Sequence, residues 1–126
     1  MALSKHLLEI GLDSTEAQFL GDSQELNLTA AGNSQATATP IVATINQVTG
    51  GTTITDDGLR LPPVSSFKGS YIAIRSVYIG FAVDVFPAVD ERIDGQLDNV
   101  PVSLAAGSAL ILFKVGDGAW ISFKGA

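Results

Sequence analysis

The sequence predicts an all-β chain: an antiparallel β-sandwich or jelly-roll-like domain carrying a short N-terminal arm that contains one or two short helices. Three observations lead there. From Leu26 onward, apolar residues alternate with polar ones at the strand period of two. Pairs of Gly, Asn and Asp interrupt that alternation at short intervals, and no long helical pattern lies between them. Seven to nine short strands at this spacing suit a sandwich better than a parallel α/β fold.

The arm spans residues 1–25 and the β-domain residues 26–126, divided by the change in composition near Leu26. Leu3, Leu7 and Ile10 recur at helical spacing, with Gly11 as a stop; Asp13 followed by Glu16 resembles a capping box, with Ala17 and Leu20 inward. Helices this short are marginal in water, so the arm either packs on the domain or waits for a partner.

Leu26 and Leu28 open the first strand, and Ile41, Ala43 and Ile45 carry the next alternation, entered through Pro40 at a strand start or an edge. Gly32-Asn33, Gly50-Gly51 and Asp56-Asp57-Gly58 are turns, and Leu59 and Leu61 lead into Pro62-Pro63. Tyr71 to Tyr78 and Phe81 to Phe86 are two strands joined at Ile79-Gly80, a hairpin candidate in which Phe81, Val83 and Val85 share one face. After a polar excursion turning at Asp94-Gly95, Val100 to Leu104 forms another strand. Ala109 to Val115 is apolar on both faces until Lys114, as expected of a central or interface-covered strand. Gly116-Asp117-Gly118 turns the chain, and Ala119 to Phe123 closes it with Ile121 and Phe123 inward. No internal repeat stands out.

Composition excludes several classes of function. The formal net charge is −6, and Lys5, Arg60, Lys68, Arg75, Arg92, Lys114 and Lys124 are scattered, so no basic stripe exists for a nucleic acid. Hydrophobic residues reach 46% against 16% charged, yet no run of 18 apolar residues spans a bilayer; the surplus is assigned to subunit contacts and not to a membrane. With no cysteine, disulfides and thiolate chemistry are absent. The N-terminus lacks the pattern of a secretory signal, which reads as cytosolic synthesis.

No catalytic residue, cofactor or metal is expected. The one histidine, His6, lies in the arm, outside any preorganised site. Asp84, Asp90, Glu91, Asp94 and Asp98 are dense enough to suggest Ca²⁺ or acid–base chemistry, but their spacing fits no EF-hand loop and a solvated loop explains them better. Gly50-Gly51 and Gly116-Asp117-Gly118 lack the following Lys-Ser/Thr of a phosphate loop. The aromatic residues fall on strand positions explained by packing; Trp120, beside a turn, remains open as a ligand or partner contact, together with Asp94 and Asp98.

From Tyr71 to Trp120 the chain resembles virion proteins of tailed bacteriophages. The resemblance is carried by Ile72-Ala73-Ile74-Arg75, Phe81 to Ala88, Ile93-Asp94-Gly95, Asn99, Val102 to Ser108 and Gly116 to Trp120, with the run SLAAGS as its most specific element. It departs from the pattern at Ser76 to Ile79 and at Val89 to Arg92, which bears on partner contacts more than on fold. The resemblance implies a capsid decoration or cement protein: a homotrimer on the capsid exterior that binds the major capsid protein and stabilises capsomer junctions. The contact would run through the arm, at Leu3, Leu7, Leu8, Ile10, Leu12, Phe19 and Leu20. The alternative is a receptor- or glycan-binding module of a tail or head fibre, and a glycan-degrading enzyme using the loop carboxylates ranks behind both.

Overall fold

The computed structural model describes residues 23–51, 57–78 and 80–125. Ten strands and no helix occur among them: β1 (Gln24–Ala30), β2 (Thr39–Pro40), β3 (Ile45–Gly51), β4 (Gly58–Arg60), β5 (Tyr71–Ser76), β6 (Val83–Phe86), β7 (Arg92–Ile93), β8 (Val102–Leu104), β9 (Ala109–Gly116) and β10 (Ala119–Gly125). The expected arm and its helices, with Leu3, Leu7, Leu8, Ile10, Leu12, Phe19 and Leu20, lie outside the described residues, as does His6.

Two sheets share one core. The larger has the order β1-β3-β5-β9-β10-β7 and the smaller β2-β4-β6-β8. The antiparallel sandwich or jelly-roll expected from the sequence is overturned, because both sheets are mixed. β1 pairs with β3, β3 with β5, β2 with β4, β4 with β6 and β7 with β10 in parallel, and only β5/β9, β9/β10 and β6/β8 are antiparallel.

The physical reason is a winding chain. Successive strands β1 to β6 alternate between the two sheets, so each return lands beside, and parallel to, the strand one circuit earlier. Gln24 pairs with Ile45 and Ile45 with Ala73; across the other sheet Gly58 pairs with Asp84. A parallel pair needs a long crossover, usually a helix. Here the crossover is the opposite sheet's own strand, giving circuits of about 20 to 30 residues, the scale of stacked repeats. After β6 the direction reverses: β8 runs back along β6, β9 along β5, and β10 along β9.

The winding also removes the hairpin expected at Ile79-Gly80. β5 and β6 flank that connection but lie in different sheets. The tight hairpin is instead β9–β10, where Asp117 (φ 50°) and Gly118 (φ 71°) provide the two left-handed residues of a type I′ turn. Pro40 stands in β2, at the edge of the smaller sheet, where a missing N–H costs no ladder bond.

The core lies between the sheets. Val48, Ile72, Ile74, Leu110, Leu112, Ile93 and Trp120 from one side meet Leu59, Val83, Val85, Val102 and Leu104 from the other, all buried. Each such aliphatic side chain contributes about 1.5–3 kcal/mol by leaving water. Phe81, expected on the same face as Val83 and Val85, precedes β6 and is instead exposed.

Candidate functional site

The acidic excursion between β6 and β8 is tied down by its own side chains. Asp94 (φ 57°) and Gly95 (φ 72°) form a left-handed turn closed by the Gln96 N–H donating to the Ile93 carbonyl at 3.1 Å. The Asp94 carboxylate then accepts from the Ser122 N–H at 2.7 Å and from the Ser122 hydroxyl, fastening the turn to β10. Asn99 (φ 69°) accepts at Oδ1 from the Asp90 N–H at 2.7 Å and from Gln35 Nε2 at 3.0 Å. Glu91 accepts from the Val64 N–H at 3.1 Å through both oxygens. Asp98 faces Arg92 at 3.7 Å across an exposed pair. Asp84 and Asp57 are both engaged, and the Asp84 N–H donates to the Asp57 carbonyl at 2.9 Å. Through their carboxylates, Asp94 and Glu91 hold loops together. Among the described residues, no three His, Cys, Asp or Glu side chains come together in a metal-binding group.

Trp120, read from the sequence as an open ligand contact, is 0% exposed. Its ring packs against Phe67 with centroids 6.0 Å apart, and the Lys114 ammonium sits 5.6 Å from the Phe67 centroid while donating to the Phe67 carbonyl. A cation over an aromatic face caps the core at this end. The indole Nε1 is buried with no hydrogen-bond partner among the described residues, as is Asn46 Oδ1. Asp94 and Trp120 thus meet on adjoining elements, as partners in scaffold: the Asp94 N–H donates to the Trp120 carbonyl at 2.8 Å.

With Trp120 facing in, the parity of β10 puts Ile121 and Phe123 out, the reverse of the orientation expected from the sequence. They join an apolar surface on the outer face of the larger sheet. One row runs across the strands as Ile45, Ala73, Ile111 and Phe123, the next as Tyr71, Phe113 and Ile121. Ile111, Phe113, Val115, Ile121 and Phe123 are exposed, Phe123 to 57%. The rings organise one another: Phe113 and Phe123 meet edge-on at 5.7 Å, and Tyr71 and Phe113 tilt at 6.1 Å. The outward positions of β3, β5, β9 and β10 contain no Asp or Glu; Arg75 is their one charge. The two-sided apolarity of Ala109 to Val115 was the signal for this surface. Ile121 and Phe123 were missed because their facing depends on Trp120, and Tyr71 because its outward place follows from the burial of Ile72 and Ile74 on β5.

This face can bury apolar area against a neighbour. No protein family, curated protein or solved structure matches the chain.

Proposed function

We propose that the chain is a structural virion protein, a capsid cement or decoration protein that binds the outer surface of a tailed-phage head as a homotrimer. The observation that carries the proposal is the apolar outer face of the larger sheet, which suits a building block designed to be covered. The run SLAAGS, the most specific element of the resemblance, supports the same reading; it covers the end of β8 and the turn at Gly107 that leads into β9. In this reading the arm, residues 1–25, engages the major capsid protein. Repetition of the subunit over the head turns modest contacts of about 1,000 Å² into firm coating by avidity. The glycan-binding alternative named Trp120 and the loop from Asp90 to Asp98 as candidates, and the fully buried indole removes the first of them.

Mixing the purified chain with expanded heads prepared without it tests the proposal. Full-length protein is expected to coat the heads, whereas protein lacking residues 1–20 should remain folded, with unchanged Trp120 emission, and stay in solution. Normal occupancy by the truncated chain refutes the role of the arm, and no coating by the full chain refutes the function.

A further inference from the structure

We infer that the outer face formed by β5, β9 and β10 is the surface through which copies of this chain bind one another. This deepens the structural reading above by naming the contact that makes the oligomer.

Geometry is the first argument. β9 lies between β5 and β10, so its backbone is already paired on both sides and no added strand can dock there. Any occupant must lie flat on the side chains, as one sheet packs on another at about 10 Å. Tyr71, Ile111, Phe113, Ile121 and Phe123 supply such a layer, and their mutual ring contacts fix it in advance of binding.

Charge identifies the occupant. The chain carries a net −6, and two copies repel one another over most of their surfaces. The described carboxylates belong to β1, β6 and the loops and turns, and none occupies an outward position of β3, β5, β9 or β10. A face free of carboxylates is where an acidic chain can meet its own copy without burying like charges, and Arg75 adds a cation at the rim. A cationic partner would instead be expected to face acids. Area agrees: Ile111, Phe113, Val115, Ile121 and Phe123, each exposed by about two-fifths to a little over half, present on the order of 400 Å². That approaches the apolar heart of a standard interface, about 65% of about 800 Å² on each partner.

The test is mass in solution, by light scattering and native mass spectrometry, on the full chain without capsids. The wild type is expected to be oligomeric at about 10 μM, an ordinary affinity for an interface of this size. The double variant Phe113→Lys, Phe123→Lys is expected to be monomeric with its association weakened by about 100-fold or more, since buried aromatics dominate such contacts. Its Trp120 emission should keep the blue shift of a buried indole. Leu97→Lys, at an exposed position in the loop between β7 and β8 and outside β5, β9 and β10, should leave the oligomer intact. If the double variant loses Trp120 burial, Phe123→Lys alone decides. A monomeric wild type overturns the inference and points to residues 1–22 as the cover. A folded variant that remains oligomeric, or a Leu97→Lys variant that dissociates equally, also overturns it. Loss of capsid coating with the oligomer intact strikes the proposed function and leaves this inference standing.

Discussion

Asp94 shows how one side chain can serve both as turn residue and as strand partner. Its left-handed backbone turns the chain after β7, and its carboxylate receives two donors from Ser122 on β10. Asp94→Ala removes both Ser122 hydrogen bonds and keeps a positive φ on alanine. It should cost about 2 kcal/mol in a urea titration. Asp98→Ala removes an exposed ion pair, and its stability should fall by no more than about 0.5 kcal/mol. Equal losses for the two variants would mean that the Asp94 contacts add nothing. The Asp94-Gly95 and Asp117-Gly118 turns were legible in the sequence, because a left-handed pair favours Asp-Gly wherever it occurs. The pairing of Asp94 with Ser122 was not, since it depends on β7 lying beside β10.

Among the elements, the first circuit depends on a single close approach. Gly32 (φ +77°) passes so near the loop after it that a Cβ there would lie 2.2 Å from the Thr37 carbonyl oxygen. The same loop is held by the Ser34 carbonyl accepting from the N–H groups of Thr37 and Ala38. Gly32→Ala combines backbone strain with a clash against main chain. It should destabilise by at least about 2 kcal/mol, measured as a fall in the denaturation midpoint; a neutral outcome would mean the loop can open without loss. The closing hairpin turns on a different local feature. Ala119 pairs with Gly116 but Trp120 pairs with Lys114, leaving Val115 as an extra residue beside the left-handed Gly116. β10 then buries Trp120 and presents Ile121 and Phe123. The alternation of β10 was readable; its direction was not, because either face is apolar enough to enter a core. Trp120 wins the interior by packing on Phe67 beneath Lys114, a contact between parts of the chain far apart in sequence.

For the molecule as a whole, an assembly joined through its larger sheet ties folding to association. A tenfold rise in protein concentration should raise the thermal midpoint by about 3–8 °C, whereas the Phe113→Lys, Phe123→Lys variant should be insensitive to concentration. A wild-type midpoint that stays fixed over that range argues for an independent monomer. Strand content, most strand positions, the edge site of Pro40 and the turn at Asp117-Gly118 follow from local rules and could be read residue by residue. The parallel winding could not. A strand has the same period of two whether its neighbour runs with it or against it, and the unequal circuits joining Gln24 to Ile45 and Ile45 to Ala73 leave no fixed repeat to detect. Sheet membership, the burial of Trp120 and the apolar face opposite it were therefore decided by tertiary pairing, where distant strands compete for the same core and only one face of each can enter it.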